Sequence, residues 1–460
     1  MTDLLDALRA ELGADAVLGP AQVAERASSY WDPSPMRAAA LVRPRDAPET
    51  ARVLALCNAR GQSVVTHGGL TGVVGGDVTR ATDVVLSTER MTAIEAIDPV
   101  GRTATVQAGV TLLRLQEAAA AHGLAVPIDL GARGSCTIGG NVATNAGGIN
   151  VIRHGMTRAN VLGLEVVLAD GTVITSLNRM VKNNAGYDTK QVFVGSEGTL
   201  GVVTRVVVRL VEAPVARHTA FAALATFDAV PELLRSLERA LGGGLGAFEV
   251  MWGDYVRAVT GPGFHRAPMS REHPFYVLVE SEGGDPEADR AAFLGAMERA
   301  VERDLVTDAV IAHSETERRA LWAIREEFEA LFERRPVFLY DVSLPLGSME
   351  AYVEAVEARL RARWPDSRCY AMGHCGDGNV HLFVHPAATG DGLHAQSDED
   401  VYAPLRPIGG SISAEHGIGV EKRGHLGISR SAEEIDLMRL LKRTLDPNGI
   451  LNPGKVLGPG

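Results

Sequence analysis

The stretch 131–148, GARGSCTIGGNVATNAGG, indicates the fold more clearly than any other part of the chain. Its glycines are too frequent for a regular helix or strand, so we expect an irregular loop. Two further glycine-rich stretches precede and follow it, at His67–Gly76 (HGGLTGVVGG) and Gly195–Gly201 (GSEGTLG). Glycines let a ligand come close to the backbone, and successive N–H groups in such loops bind phosphate. Three stretches of this kind, interleaved with polar residues such as Asn141 and Thr144, predict a large cofactor that carries phosphate groups.

A dinucleotide-binding Rossmann fold does not explain these stretches. The G-x-G-x-x-G/A pattern occurs at Gly242–Ala247 (GGGLGA), directly after the predicted helix Ala229–Leu241. The pattern binds pyrophosphate when it follows a strand and begins a helix, so here it indicates only the end of a helix. The sequence also contains no Walker A motif, which excludes a P-loop nucleotide site.

The composition is typical of a large globular protein. The chain has 460 residues, 45 basic and 57 acidic, with a net charge of −12 and 46% hydrophobic residues. The apolar content excludes a disordered chain, and the acidic balance argues against a nucleic-acid or anionic-membrane partner. No apolar run is long enough to span a membrane, and the N-terminus does not resemble a signal peptide. Because four cysteines do not make a disulfide framework, we expect reduced thiols and a cytoplasmic location.

The secondary-structure pattern changes near the middle of the chain. Before Pro214, short strands are separated by glycine-rich segments, and the Asp170-Gly171 turn predicts a hairpin. After Pro214, strands alternate with long helices, including a predicted helix Thr316–Arg334. This pattern predicts an α+β region, with an antiparallel sheet and helices on one face. The polar residues 387–400 are predicted to form a loop.

A pair of histidines lies in a second predicted hairpin. Residues 373–381 read GHCGDGNVH, and Asp377-Gly378 is typical of a two-residue turn. Counting outward from that turn places His374 directly opposite His381, with Cβ atoms about 5 Å apart. Two imidazoles at this spacing can bind one metal ion, which needs a third ligand and an open position. Glu415 is a candidate third ligand, but spacing alone does not bring it to the hairpin.

These motifs together resemble a known family. The likeness rests on Pro44, the three glycine-rich stretches, the His374–His381 hairpin, Glu415-His416 and the C-terminal Asn452–Lys455. They resemble the vanillyl-alcohol-oxidase type of FAD-binding fold, also called PCMH-type. Within it they resemble the FAD-linked oxidase group of D-lactate dehydrogenases, glycolate oxidase D subunits and D-2-hydroxyglutarate dehydrogenases. The motifs keep their order over nearly the whole chain.

The resemblance implies an α+β architecture with three parts. Residues 1–215 would form a PCMH-type FAD-binding domain of two subdomains. Residues 216–400 would form a cap domain that binds substrate on an antiparallel sheet. Residues 401–460 would form a small helical segment that packs on the FAD domain and the active site.

The resemblance also implies which residues hold FAD. Relatives that attach flavin covalently carry a histidine directly after the Gly-Gly pair, where this chain has Leu70, so we expect non-covalent FAD. The implied contacts with the pyrophosphate, flavin and adenine regions come from Gly68, Gly69, Leu70, Thr71, Gly72, Ser135, Gly140, Asn141, Thr144, Glu197, Gly198, Val202 and Asn452.

The resemblance assigns the metal and the base. It implies His374, His381 and Glu415 as ligands of a divalent metal, zinc first, with manganese or iron as alternatives. The metal would make the substrate hydroxyl more acidic, and His416 would remove its proton as general base. The C2 hydrogen would then leave as hydride to flavin N5, which produces a 2-oxo acid.

The substrate side chain is where this sequence departs from the hydroxyglutarate-oxidising relatives. Arg325 has two interpretations: a surface ion pair with Glu329 at i+4, or the substrate-carboxylate anchor that the resemblance implies. Polar positions of those relatives are occupied here by Glu329, Leu339 and Phe383. A second substrate carboxylate next to Leu339 and Phe383 would be buried without a partner, which is costly. We therefore expect a D-2-hydroxy acid with an uncharged or apolar side chain, such as D-lactate or a bulkier analogue.

Three alternatives stay open at this point. The first is D-2-hydroxyglutarate as substrate, which Tyr340–Pro345 (YDVSLP) favours. The others are a metal-dependent hydrolase, which leaves the glycine-rich stretches unexplained, and a non-catalytic flavoprotein, which leaves Glu415-His416 unexplained. The sequence leaves the electron acceptor open between a quinone, an electron-transfer flavoprotein, a cytochrome and O₂, and a homodimer is the default oligomer.

Overall fold

The computed structural model describes residues 2–333 and 335–458. The α-helices are α1 (Thr2–Leu12), α2 (Pro20–Val23), α3 (Ala47–Ala59), α4 (Leu112–Ala120), α5 (Ile138–Thr144), α6 (Val151–His154), α7 (Thr157–Asn160), α8 (Lys190–Phe193), α9 (Ala229–Leu241), α10 (Gly253–Val259), α11 (Pro286–Glu302), α12 (Glu315–Glu326), α13 (Met349–Arg363), α14 (Leu393–Tyr402) and α15 (Ala432–Leu445). Short 3-10 helices are Ala14–Ala16, Glu329–Glu333, Leu346–Ser348, Cys375–Asp377, Ala403–Ile408 and Arg423–Ile428. None of these described helices is both long and apolar enough to cross a membrane.

The strands fall into several sheets. They are β1 (Val17–Leu18), β2 (Ala40–Val42), β3 (Val64–His67), β4 (Val84–Ser87), β5 (Ile94–Asp98), β6 (Thr103–Gln107), β7 (Leu124–Ala125), β8 (Val161–Val167), β9 (Val173–Ser176), β10 (Val202–Arg209), β11 (Val211–Glu212), β12 (Ala216–Leu224), β13 (Leu245–Trp252), β14 (Phe275–Gly283), β15 (Asp308–Ile311), β16 (Phe338–Ser343), β17 (Arg368–Gly373) and β18 (Asn379–His385). The predicted hairpin at Asp170-Gly171 is confirmed, because β8 pairs antiparallel with β9.

The chain packs as two compact units. The first contains residues 1–148, 154–213 and 415–460, and the second contains residues 149–153 and 214–414. The sequence had placed the boundaries after residues 215 and 400. The chain passes from the second unit back to the first at the peptide bond between Ala414 and Glu415.

The first unit is built on two main sheets. One has the order β1-β2-β4-β3, with β4 parallel to both β2 and β3, and the other is antiparallel, with the order β5-β6-β10-β8-β9. The C-terminal tail returns to the first sheet, where Ile450 and Leu451 join its hydrophobic core and the Val64 N–H donates to the Ile450 carbonyl. Residues more than 380 positions apart therefore meet beside the His67–Gly76 stretch.

The glycine-rich stretch 131–148 is not wholly irregular, so that prediction was wrong. Residues 138–144 form α5, whose first turn is capped by the Thr137 side chain accepting from the Gly140 N–H at 3.2 Å. Ile138 and Val142 anchor this helix in the core. A Cβ at Gly139 would lie 2.6 Å from that of Ala108, so glycine here lets the helix pack against the neighbouring chain.

The second unit is a seven-stranded antiparallel sheet with the order β15-β12-β14-β13-β17-β18-β16. The prediction of helices on a single face was wrong. Phe221 of β12 shares a core cluster with residues of α10 and α12. His218 faces the opposite way, and its ring centroid lies 6.0 Å from that of Phe293 of α11. The sheet is therefore covered on both faces, and the functional residues lie on the face that α12 covers.

Two further helix predictions differ from the structure. The predicted helix Thr316–Arg334 ends at Glu326, a 3-10 helix follows at Glu329–Glu333, and the predicted end at Arg334 lies outside the described residues. The predicted loop 387–400 contains most of α14, where Ser397 and Val401 are fully buried. Polar composition alone therefore misled the second prediction.

Candidate active site

The two histidines of the second unit meet, but not in the predicted register. Met372, rather than His374, pairs with His381 across β17 and β18, because the connection at residues 374–378 is longer than a two-residue turn. A shift of two residues keeps the same face of the sheet. The imidazole ring centroids of His374 and His381 therefore still lie 5.5 Å apart, with their planes at 81°. Cys375 is fully buried.

A residue missed in the sequence, Glu249, connects His374 with Arg325. One carboxylate oxygen of Glu249 lies 2.7 Å from His374 Nδ1, and the other accepts a hydrogen bond from Arg325 Nε at 2.6 Å. Burial alone would raise the pKa of Glu249, but the neighbouring His374 and Arg325 outweigh it and lower the pKa to about 2. A charged residue inside the apolar strand LGAFEVMW was the signal in the sequence for this role.

Helix α12 holds Arg325 inside the unit. The Tyr255 hydroxyl is buried 2.7–3.2 Å from the carbonyl oxygens of Ile324, Arg325 and Glu327, at the end of the helix. Glu329 lies beyond that end and is exposed. The surface-ion-pair interpretation of Arg325 was therefore wrong, because its carboxylate partner is the buried Glu249.

Asp341 is a second buried carboxylate that the sequence did not identify. It accepts hydrogen bonds from Asn379 Nδ2 at 2.7 Å and from the Ala414 backbone N–H at 3.1 Å, and it lies 3.9 Å from His381 Nδ1. Ala414 is covalently followed by Glu415. Asp341 therefore fixes the backbone at Ala414, the last residue of the second unit.

An apolar surface adjoins the histidines on the same sheet face. Phe383 lies two residues after His381 on β18 and pairs with Leu339 of β16. Its ring centroid lies 6.2 Å from that of Phe332, in an edge-to-face arrangement. Leu339 and Phe383 thus belong to one hydrophobic cluster.

In the first unit, the glycine-rich stretches contact one another through their backbones. A Cβ at Gly69 would lie 2.1 Å from the Ser135 carbonyl oxygen, and a Cβ at Gly68 would lie 2.7 Å from Thr137 Oγ1. Two buried polar atoms beside this contact, Thr66 Oγ1 and His67 Nδ1, have no hydrogen-bond partner among the residues that the structure describes. Donor and acceptor atoms left unpaired beside such loops fit a cofactor that carries hydroxyl and phosphate groups.

The other predicted cofactor residues vary in their surroundings. Asn141 is buried in α5, Thr144 Oγ1 donates to the Gly140 carbonyl, and Val202 lies in the core. The Thr71 carbonyl accepts from the Trp31 side chain, and Leu70 has a positive φ of 56°. These contacts fix the backbone of the loops.

Glu197 and Asn452 form a network within the first unit. The Glu197 carboxylate accepts from the backbone N–H groups of Ile418 at 2.7 Å and Gly419 at 2.8 Å. Asn452 donates to the Glu197 carbonyl at 2.7 Å and accepts from the Thr66 N–H at 2.9 Å. Burial raises the pKa of the Glu197 carboxyl. The network ties the Gly195–Gly201 stretch to the segment that follows His416.

Glu415 is anchored to the glycine-rich stretch 131–148. One of its carboxylate oxygens accepts from the Gly148 N–H at 3.0 Å, and a Cβ at Gly147 would lie 2.9 Å from the same oxygen. His374, His381 and Arg325 therefore belong to the second unit, and Glu415 and His416 belong to the first. Imidazole and carboxylate groups are side chains that can ligate a divalent metal.

Comparison with known proteins identifies the class. Family models match residues 38–176 as a FAD binding domain and residues 213–456 as the C-terminal domain of FAD linked oxidases. The solved structure of p-cresol methylhydroxylase with substrate bound superimposes with a TM-score of 0.79 at 16% identity, covering 99% of this chain and 97% of that one. The fold is thus the PCMH-type FAD-binding fold, and the chain belongs to the FAD-linked oxidase family.

Relatives with higher sequence identity indicate which members of this family the chain resembles. A D-2-hydroxyglutarate dehydrogenase of Xanthomonas citri pv. viticola is 40% identical over 431 residues, 93% of this chain and 90% of that protein. The mitochondrial D-2-hydroxyglutarate dehydrogenase of Bos taurus is 42% identical over 419 residues, 91% of this chain and 76% of the bovine protein. The predictions of the family, of FAD and of a D-2-hydroxy acid dehydrogenase that acts on CH–OH groups are confirmed.

Proposed function

We propose that the chain is a FAD- and metal-dependent dehydrogenase of D-2-hydroxy acids with an uncharged or apolar side chain. The observation that carries this proposal is the sheet face of the second unit. There Arg325 and the two histidines adjoin the hydrophobic cluster of Leu339, Phe383 and Phe332. A cation, two metal-binding imidazoles and an apolar surface match the carboxylate, the hydroxyl and the side chain of such a substrate.

The proposed metal ligands are His374, His381 and Glu415. The Glu249 carboxylate receives the Nδ1 hydrogen of His374, which leaves Nε2 as the ligating nitrogen. Two imidazoles and a carboxylate favour zinc, and manganese or iron are alternatives. Three protein ligands leave a position for the substrate hydroxyl, whose proton the metal would make easier to remove.

The remaining roles follow from the chemistry of the side chains. Arg325 would bind the substrate carboxylate through its terminal nitrogens, since its Nε is engaged by Glu249. His416, the residue after Glu415, would take the hydroxyl proton as general base. Bound FAD would supply the hydride acceptor. We propose that FAD is not covalently bound, because Leu70 occupies the position of the tethering histidine.

D-2-hydroxyglutarate is the second candidate substrate, and the names of the relatives favour it. Its distal carboxylate needs a partner that Leu339 and Phe383 do not offer. Leaving a charge buried without a partner costs several kcal/mol, and about 1.4 kcal/mol already gives tenfold discrimination. We therefore expect kcat/KM for D-lactate or a bulkier apolar analogue to exceed that for D-2-hydroxyglutarate by at least about tenfold.

A pair of double variants tests the substrate assignment. Leu339→Lys with Phe383→Asn should raise kcat/KM for the dicarboxylate relative to lactate or mandelate, because it adds a cation and a hydrogen-bonding group. Leu339→Met with Phe383→Leu is the matched control that keeps the surface apolar, and it should keep the parent preference. A parent enzyme that prefers the dicarboxylate would refute the apolar-substrate proposal and leave the dehydrogenase chemistry intact.

The cellular setting is also proposed. All four cysteines are buried free thiols, which supports a reducing compartment such as the cytoplasm. A homodimer, and a quinone, electron-transfer flavoprotein or cytochrome as electron acceptor, stay predictions. The proposed small-molecule partner is a 2-hydroxy acid.

A further inference from the structure

Glu249 occupies a position where the fold does not require a carboxylate. It is 1% exposed, between Phe248 and Val250 on β13, and it pairs with Leu278 across the sheet. An apolar residue of similar volume would fill this place at no desolvation cost. A buried carboxylate here therefore calls for an explanation in terms of the groups it contacts.

Both carboxylate oxygens are used, and by two residues of the proposed site. Nδ1 of His374 lies 2.7 Å from Oε1, and Nε of Arg325 lies 2.6 Å from Oε2. The remaining nitrogens of the two partners converge, with Arg325 Nη2 3.4 Å from His374 Nε2. A single rigid carboxylate thus aligns a metal-ligating nitrogen and a carboxylate-binding guanidinium toward the same point.

We propose that Glu249 is a positioning residue that couples metal binding to substrate-carboxylate binding. It fixes the His374 tautomer, with hydrogen on Nδ1 and a lone pair on Nε2, and it fixes the plane of the Arg325 guanidinium. This inference rests on the proposed function. It adds that metal binding and substrate-carboxylate binding both depend on Glu249, so a change at Glu249 weakens both.

The test is Glu249→Gln, which keeps size and shape. The amide oxygen can accept from Arg325 Nε, but the amide NH2 must then donate to His374 Nδ1. That moves the imidazole hydrogen to Nε2, the nitrogen that should ligate the metal. We expect zinc affinity to fall about 10–100-fold, KM for the hydroxy acid to rise, and FAD content to stay unchanged.

Glu280→Gln is the matched control. Glu280 is another buried carboxylate, on the adjacent strand β14, where it contacts Thr219, Arg318 and Trp322 rather than the site. This variant should lower thermal stability while zinc affinity and KM stay at the parent values. Equal loss of zinc affinity in both variants would overturn the proposal, because it would show a general effect of a weakened sheet.

Glu249→Asp covers the case in which Glu249→Gln does not fold. The shorter side chain keeps the charge but does not span both partners, so zinc affinity and KM should move in the same direction as in Glu249→Gln, to a smaller extent. Parent-like zinc affinity and KM in a folded Glu249 variant would overturn this proposal alone. A parent protein that takes up no zinc, manganese or iron would overturn the metal-dependent function as well.

Discussion

The substitution Glu197→Gln distinguishes two roles for Glu197. One is cofactor binding, which the family resemblance implies, and the other is to hold the segment that follows His416. In the structure the Glu197 carboxylate accepts from the Ile418 N–H at 2.7 Å and the Gly419 N–H at 2.8 Å. These groups follow His416 by two and three residues. The carboxylate therefore holds the segment that presents the proposed base, and its two oxygens are occupied by protein.

The expected loss of stability follows from those two hydrogen bonds. A glutamine keeps one acceptor oxygen and turns an NH2 group toward the other backbone donor, so one charge-assisted hydrogen bond is lost. Such a bond contributes about 1.5–3 kcal/mol. A melting-temperature decrease of roughly 5 °C is expected, and a displaced His416 should lower kcat about tenfold to a hundredfold.

The assay combines a thermal melt, the ratio of flavin absorbance to protein, and steady-state kinetics. Glu117→Gln, an exposed glutamate on α4, is the control and should match the parent in all three. We expect Glu197→Gln to keep its FAD and to lose kcat. A variant that loses FAD while the enzyme reconstituted with excess FAD regains full kcat would refute this reasoning and support a role of Glu197 in cofactor binding.

Three further outcomes are expected. Burial lowers the pKa of His67 to about 4, so the folded protein binds fewer protons than the unfolded chain between about pH 6.5 and 4. The free energy of unfolding should therefore fall by about 3 kcal/mol as the pH is lowered through that range. In pH-dependent melts, His67→Gln should remove this decrease. Chelation and His374→Ala should abolish turnover and leave FAD bound, whereas His416→Ala should keep the metal and lose turnover; full activity in metal-free protein would remove the metal from the mechanism. Acid precipitation should release FAD into solution, and flavin that stays with the precipitate would contradict the non-covalent assignment.

Local signals predicted many of the elements well. Helix α9 has the predicted bounds, Ala229–Leu241, because apolar residues at helical spacing end at a glycine that adopts a left-handed conformation. Another local signal is Thr111, whose side chain caps α4 by accepting from the Arg114 N–H. In both cases the determining interactions lie within a few residues, so the sequence contains them.

Local sequence signals failed to predict the elements whose structure is determined by long-range packing. Glycine frequency argued against a helix at 138–144, but the close approach of Gly139 to Ala108 makes glycine the residue that the packing requires. Polar composition argued for a loop at 387–400, but the Tyr352 hydroxyl bonds to the Val401 carbonyl and helps anchor α14. Neither partner is close in sequence to the segment it stabilises.

In the candidate site, too, local spacing predicted some contacts and long-range packing determined the others. The spacing of His374 and His381 predicted a shared sheet face, which survives a register error of two residues. Glu249 lies 125 residues from His374 and 76 from Arg325, and no pattern in the sequence connects the three. A buried carboxylate in an apolar strand signals that a partner exists, but only the folded sheet identifies it.

Arg325 shows how one contact decides between the two interpretations that its sequence context allowed. A surface ion pair with Glu329 needs the helix to continue for another turn, and α12 ends at Glu326. The Tyr255 hydroxyl occupies the carbonyl end of that helix, and the guanidinium meets Glu249 inside the unit. An arginine held in this way has its plane set before any substrate arrives, so the ordering of a long side chain does not weaken substrate binding. The contact with Glu249, which excludes a surface ion pair with Glu329, therefore also makes Arg325 suited to bind a carboxylate.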